Sequence, residues 1–436
     1  MNVSRYTIVV ESKGGETLLY NTASGSFAAV KGQDIEAHAD ELAALGFLTE
    51  LDRKQELAGQ QALFDVVRAN RDSLTLSLIP TYACNYRCPY CYEPELCKST
   101  GKMSSEVEAG IIRFIEHIFA QHPFMKLSVQ WYGGEPTLAL DVVERLSNEL
   151  IEWCSERRVA YDAMMLTNAA LIDESAARML ARCKVGQVFL TIEGPKEYQD
   201  RRRLSADGSS SFDAAIGAAR LLRVNGIQVK AGMNADRLTL PYYDDLRERL
   251  YREEGIELDL NKLNDYGNTF GQPPFAKPDF DLFTHDEFFQ LQAQRFIAQN
   301  HSAYDYQAML APCDRFCSGQ TDNYFVIDLR GDVFNCDGWV GDGDFVRFNL
   351  LEEPQSWLLS DIVFDASRDE KCSDCEMLPI CHGSCIWERV CCEKSEGEMP
   401  CHPLKTTMPA YLQAWRDCYG EISDGLTLLA SFAQSQ

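Results

Sequence analysis

The sequence predicts an α/β protein: a partial (β/α)6 barrel over residues 76–264, preceded by a small module at 1–75 and followed, after a bridge at 265–310, by a cysteine-rich region at 311–436. Three observations lead to this class. Six apolar β-runs alternate with amphipathic helical stretches, the rhythm of a parallel sheet with crossover helices. The residues with unusual chemistry fall at the ends of those runs, where parallel α/β sheets carry their sites. The 17 cysteines are clustered, three at 84–91 and ten between 313 and 401.

In chain order, "RYTIVVES", the turn "KGGE" and "TLLYNT" predict a β-hairpin. "DIEAHADELAALGFLTE" has an Asp start, helical apolar spacing and a Gly46 stop before a short strand. "DRKQELAGQQALFDVVRANRD" is a polar amphipathic helix that leads out. Two or three strands with helices make a winged-helix-like module. The barrel strands then read as "SLTLSLIP", "KLSVQWYGGEP", "AYDAMMLTN", "GQVFLTIEG", "IQVKAGMN" and "IELDLNKL". Between them lie the helices "LDVVERLSNELIEWCSERR", "ESAARMLARC", "SFDAAIGAARLLRVNG" and "YYDDLRERLYREEG", with a loop after "GQVFLTIEG". The bridge is rich in Pro, Phe and Gln and carries one helix, "HDEFFQLQAQRFIAQN". Beyond Ala311 the chain is short-patterned and irregular, with one hairpin, "NYFVIDLRGDVFNCD", turning at Arg330–Gly331.

Length and composition bound the function. A chain of 436 residues has room for two or three domains with real cores. Its 45% apolar and 25% charged content is that of a soluble globular enzyme. The N-terminal residues lack the basic start and apolar run of a secretory signal, and no window holds the roughly 18 apolar residues of a membrane helix. The expectation is a cytoplasmic protein with no membrane partner. A net charge of −25 disfavours binding to nucleic-acid backbone and suits a basic or neutral partner. In that compartment so many cysteines argue for metal or redox chemistry rather than disulfides.

The stretch "TYACNYRCPYCYEP", Thr81 to Pro94, carries Cys84, Cys88 and Cys91 in a loop after a strand. A structural zinc or iron–sulfur site is normally closed by four protein ligands, so three leave a metal position open for chemistry. A zinc ion borrowing a distant fourth ligand is the other reading of the residues. Cys84, Cys88, Tyr90 and Cys91 together resemble the C-x3-C-x-aromatic-C signature of radical S-adenosylmethionine (SAM) enzymes. "WYGGEP" resembles that family's GGE motif for the methionine amino group: Gly133 and Gly134 let backbone approach the ligand, and Glu135 accepts hydrogen bonds from an ammonium. "LTIEGPKEYQDRRR" is similar to a further family stretch in which Thr191 contacts the SAM ribose and Arg203 its carboxylate. The chain departs from the family at Thr191 for Ser, Glu193 for Asp, Gln199 for His, and Ala169 where TNG is usual. The resemblance implies a [4Fe–4S] cluster on the three thiolates, SAM on the open iron beside Tyr90, Gly133, Gly134, Glu135, Thr191 and Arg203, and a low-potential electron donor. It also implies hydrogen abstraction by a 5′-deoxyadenosyl radical. A fourth cysteine would occupy the iron that SAM must reach.

Farther on, Cys317, Gly331, Cys336, Cys372, Cys375, Cys381, Cys385 and Cys401 are spaced as in the SPASM domain, which the cysteines resemble. Gly331 would turn the hairpin so that Cys336 faces Cys317. The resemblance implies two auxiliary [4Fe–4S] clusters, three clusters in all: one on Cys313, Cys317, Cys336 and Cys385, the other on Cys372, Cys375, Cys381 and Cys401. A zinc ribbon is the alternative for the 372–385 block. Cys154 and Cys183 read as core residues, while Cys97, Cys391, Cys392 and Cys418 carry no assignment. Asp337 matches the base of the sulfatase-maturating branch, or is a turn-forming Asp in "CDGWVGDGD".

SPASM enzymes mostly modify ribosomally made peptides, and the 1–75 module resembles a RiPP recognition element, which pairs its strand edge with a leader peptide. The expected partner is a precursor peptide, bound by this module or by a separate leader-binding protein. The expected outcome is a thioether or C–C crosslink, an epimerisation, or excision of a backbone segment. Formation of formylglycine on a protein partner is the alternative, and an iron–sulfur electron-transfer protein a third reading.

Overall fold

The computed structural model describes residues 1–32, 38–93, 96–264, 280–299, 301–312, 317–357, 364–394, 401–422 and 425–431. The chain divides into two compact units, one of residues 70–283 and 322–361, the other of residues 1–69, 284–321 and 362–436.

The first unit is built on nine strands: β1 (Ser73–Leu78), β2 (Lys126–Trp131), β3 (Ala160–Leu166), β4 (Val185–Thr191), β5 (Gln228–Ala235), β6 (Glu257–Lys262), β7 (Tyr324–Ile327), β8 (Asp332–Phe334) and β9 (Phe348–Asn349). They lie in the order β6-β5-β4-β3-β2-β1-β7-β8-β9. Pairing is parallel from β6 to β7 and antiparallel beyond. All six expected barrel strands form in the expected places. Alternation explains their seating. In β2, Leu127, Val129 and Trp131 are buried in the core, while Ser128 and Gln130 on the other face are only half-buried.

The crossover helices are α1 (Ser105–Gln121), α2 (Leu140–Arg157), α3 (Glu174–Arg182), α4 (Lys196–Arg202), α5 (Ser211–Val224) and α6 (Tyr243–Arg249). Side chains of Ser104, Asp173 and Ser210 accept backbone N–H groups at the starts of α1, α3 and α5. Ile111, Phe114, Ile115 and Ile118 form the buried stripe of α1 at helical spacing. Cys154 and Cys183 are buried in the same core, as expected.

Two sequence expectations change here. The stretch after "GQVFLTIEG" is not a loop, since Pro195 leads directly into α4. The hairpin at 324–334, expected within the cysteine-rich region, adds to the barrel sheet instead. Its strand β7 pairs with β1 and is buried throughout, so it covers what would otherwise be an open edge. Gly331, at φ +85°, makes the expected turn.

The second unit contains a four-stranded antiparallel sheet in the order Gly425–Ala430, Phe27–Lys31, Glu16–Asn21, Thr7–Glu11. The hairpin and the helix Arg53–Arg68 match the sequence reading, whereas the strands at 27–31 and 425–430 were not anticipated. The helix Leu404–Asp417 packs on this sheet, with Trp415 stacked on Phe27 at 4.4 Å between ring centroids.

One buried ion pair braces the barrel. Arg202 Nη2 meets Asp236 Oδ2 at 2.8 Å, with the two side chains 2% and 0% exposed. Arg202 ends α4 and Asp236 follows β5, so the pair fixes the residue after Arg202, Arg203. Removing either partner strands a buried charge. Arg202→Ala or Asp236→Ala should each lower stability by about 3–5 kcal/mol in a denaturant titration.

Candidate active site

The C-terminal ends of β1 to β6 open on one cavity of ≈ 490 Å³. Its wall includes Cys84, Cys88, Tyr90 and Cys91 after β1, Gly133–Glu135 after β2, Thr167 and Asn168 after β3, Thr191 at the end of β4, Asn234 in β5 and Lys262 at the end of β6. Arg203 also lines it. The structure thus gathers the three leading cysteines and every expected SAM contact around one space.

The glycine pair is explained by backbone packing rather than by ligand approach alone. A Cβ on Gly134 would stand 2.5 Å from the carbonyl oxygen of Ala83 and closer still to that of Tyr82. Gly133 sits at φ +122°, where a Cβ would meet the Thr81 oxygen at 2.6 Å. The contact is sealed by Gly134 N–H donating to Thr81 O (3.2 Å) and Glu135 N–H to Ala83 O (2.8 Å).

Glu135 is buried and tightly held. Its Oε1 accepts from Thr137 N (3.0 Å), Thr137 Oγ1 (2.5 Å) and Thr167 Oγ1 (2.5 Å), and its Oε2 accepts Asn168 N–H (2.7 Å). Of the roughly four lone-pair sites on a carboxylate, what remains for an ammonium is on Oε2. Ala169, beside this contact, takes φ +63°.

The second family stretch forms a linked set. Tyr90 OH donates to Glu193 Oε1 (2.6 Å), Asn234 Nδ2 donates to the same oxygen (2.9 Å), and Arg203 Nη1 donates to Tyr90 OH (3.1 Å). Gln199, where the family has His, accepts Glu193 N–H at 2.6 Å and donates to Thr191 O at 3.1 Å. The departures at 193 and 199 therefore support each other. Burial raises the Glu193 carboxyl above its ordinary value.

The thiols have the character of ligands. Cys84 Sγ accepts Tyr86 N–H and Cys91 Sγ accepts Glu93 N–H, both at 3.4 Å. Cys97, unassigned from sequence, is buried on the same wall. Its nearby thiol lowers the Cys91 thiol to about 7 and also lowers Cys84, while burial pushes Cys88 up to about 11. Among the described residues no three His, Cys, Asp or Glu side chains converge on one point, as a single metal ion requires. Three thiols in one loop are a donor set that an iron–sulfur cluster takes.

Residues 78–250 match the sequence family described as the Radical SAM superfamily. They form a radical SAM domain, and the chain is an enzyme that carries it. It is similar to the radical SAM cyclopropyl synthase TigE of Paramaledivibacter caminithermalis, 26% identical over 71% of this chain and 67% of that protein. It is also similar to the cysteine-type anaerobic sulfatase-maturating enzyme of Clostridium perfringens, 26% identical over 69% of this chain and 85% of that one. In fold it is similar to anSMEcpe with bound AdoMet and Cp18Cys peptide, with TM-score 0.61 and 22% identity over 80% of this chain and 100% of that one. Streptococcus suis SuiB bound to the precursor peptide SuiA gives TM-score 0.54 and 15% identity over 92% of this chain and 98% of that one. A radical SAM domain uses a [4Fe–4S] cluster and SAM, and the cavity's thiols, held carboxylate and half-buried Arg203 fit that pair.

The remaining expected site residues lie elsewhere. Asp337 is half-buried on the inner side of the sheet in the barrel unit, accepting hydrogen bonds from Ser77 Oγ and Tyr324 OH, both at 2.5 Å. Burial raises its carboxyl, and it is close enough to Glu93 and Tyr132 of the cavity wall to act on them electrostatically. Cys336 belongs to the barrel unit, and Cys317, Cys372, Cys375, Cys381, Cys385 and Cys401 to the other. Cys313 falls outside the described residues, as do the side chains of Cys391 and Cys392.

Two outcomes follow for the radical SAM domain. In anaerobically reconstituted protein, Cys97→Ala should retain the electron-paramagnetic-resonance signal that SAM perturbs, and Cys84→Ala should lose it. Ala169→Gly should raise stability by about 0.5–1 kcal/mol, since a left-handed backbone strains Ala and not Gly.

Proposed function

We propose that this enzyme is a radical SAM/SPASM maturase that abstracts hydrogen from a ribosomally made precursor peptide. The observation that carries the reading is the convergence of Cys84, Cys88, Cys91, Glu135, Thr191 and Arg203 on one cavity at the barrel's strand ends. The relatives' names support the substrate class: one is a cyclopropyl synthase, two solved structures hold a peptide or a precursor peptide, and another relative matures sulfatases.

The chain's residues divide the work. Cys84, Cys88 and Cys91 hold the cluster, and Cys97 lines the cavity beside them. Glu135 takes the SAM amino group, Arg203 its carboxylate and Thr191 its ribose, while Tyr90, pinned by Glu193, backs the ligand. When bound, the cluster and SAM supply the one-electron chemistry that removes hydrogen from the substrate.

The cysteine-rich region supports two further clusters. Cys317 and Cys385 are within electrostatic range of each other. So are Cys375 and Cys381, and Lys405 lies near both Cys375 and Cys401. Arg389 Nη2 donates to Cys372 Sγ at 3.2 Å. These contacts support placing Cys317 with Cys385 and, separately, Cys375 with Cys381 and Cys401; Cys313, Cys336 and Cys372 complete the two sets by the sequence resemblance alone. The edge strand Thr7–Glu11 pairs on one side only among the described residues, the surface a leader peptide could extend.

A second reading is oxidation of a Cys or Ser to formylglycine on a protein partner. Asp337 favours it: a partly desolvated carboxyl, aligned by Ser77 and Tyr324, could take the proton an oxidised substrate releases.

The deciding experiment is intact mass and fragmentation of a peptide encoded beside this gene, co-expressed anaerobically with and without the enzyme. Loss of paired hydrogens means crosslinking, loss of a residue-derived mass means excision, and deuterium uptake at unchanged mass means epimerisation. No change from an enzyme that cleaves SAM would overturn the neighbouring-peptide reading and favour the protein maturase.

A further inference from the structure

The sulfur of Cys372 is met by a cation from the helix Ile386–Lys394, which begins directly after Cys385. Arg389 lies one turn into that helix, and its Nη2 donates to Cys372 Sγ at 3.2 Å and to Gly383 O at 3.4 Å. Two more groups fix the guanidinium. Its Cζ lies 3.8 Å from the centroid of the Phe364 ring, and its Nη1 is 3.7 Å from Asp369 Oδ2. Asp369 also accepts Cys372 N–H on its Oδ1 at 2.8 Å, so one carboxylate holds both the cation and the cysteine. One donor is left over. Arg389 Nε is buried without a hydrogen-bond partner among the described residues, in a side chain only 14% exposed. Nε and Nη2 form one edge of the planar fork, so the unused donor lies beside the nitrogen that holds the sulfur. Arginine keeps its proton, so neutralisation does not relieve the cost of this buried donor; an anionic acceptor does, and the sulfide of an iron–sulfur cluster is one.

We infer that Arg389 sets the reduction potential of the cluster held by Cys372, through its charge-assisted hydrogen bond to that thiolate and the spare donor beside it. The inference rests on the two-cluster reading above and adds to it a residue that tunes one cluster and not the other. A [4Fe–4S] cluster on four thiolates becomes more negative when it is reduced. A fixed cation with donors on its sulfurs therefore stabilises the reduced form more than the oxidised one and raises the potential. It does so against a chain of net charge −25, whose field works the other way.

The test is a redox titration followed by electron paramagnetic resonance on the full chain, reconstituted anaerobically with Cys84, Cys88 and Cys91 replaced by Ala so that only the C-terminal clusters are read. The step that Cys375→Ala abolishes belongs to the cluster on Cys372. Arg389→Gln should move that step to lower potential and leave the other in place. The shift expected is about tenfold in the one-electron equilibrium, or about 59 mV, the effect of one charge-assisted hydrogen bond. Arg389→Lys, which keeps the charge and loses the fork, should move it the same way by less. Lys405→Gln removes an exposed cation that acts on Cys375 and Cys401, and should shift the step less than Arg389→Gln, because solvent screens it. An unmoved step, equal shifts of both steps, or a larger shift from Lys405→Gln would each overturn the inference alone. If Arg389→Gln loses iron, Arg389→Lys decides: a step no lower than in the parent protein overturns the inference. No step lost on Cys375→Ala would overturn the two-cluster reading, and the inference with it.

Discussion

The site depends on a backbone contact: the loop after β2 lies directly against the loop after β1. No side chain fits between them at Gly134, whose Cβ would overlap the Tyr82 carbonyl, and two N–H···O bonds close the join. The contact sets the direction in which the cysteine loop leaves its strand. It also delivers Glu135 to the point where Thr137, Thr167 and Asn168 take hold of its carboxylate. Three adjacent strand ends are thereby locked in one arrangement before any ligand arrives, which is the preorganisation an open cluster site requires.

The second half of the cavity is held by charge and hydrogen bonding. Arg202 is buried against Asp236, and the next residue, Arg203, reaches Tyr90, which in turn donates to Glu193. The longer Glu193 side chain and the Gln199 amide are a matched pair of departures from the family pattern. Glu193 carries Tyr90 and Asn234 on one oxygen, and Gln199 ties the Glu193 and Thr191 backbone together. What looked like two isolated losses in the motif is one rebuilt turn that still presents Thr191 and Arg203 to the cavity.

Much of this was legible because the barrel is written in local patterns. Alternating apolar runs marked β1 to β6, and the motif residues at their ends marked the site. What escaped was non-local or short. The pairing of β7 with β1 joins residues some 250 positions apart in the chain, and nothing in "NYFVIDL" distinguishes a strand that extends a distant sheet from one in a local hairpin. The strand Gly425–Ala430 finds its partner at Phe27–Lys31 across almost the whole chain. Helix α4 was missed because "PKEYQDRR" is polar and brief, with no apolar stripe to announce it. Cys97 and Glu93 carried no motif; only the fold shows that both line the cavity.

The three-thiol loop is meaningful only if it leaves one iron to SAM. The most direct measurement is electron–nuclear double resonance on the reduced holoenzyme with SAM labelled with 15N at its amino group. A resolved 15N coupling to the cluster is the expected result. Tight SAM binding with no such coupling would contradict the open-iron arrangement and leave Cys84, Cys88 and Cys91 with some other task.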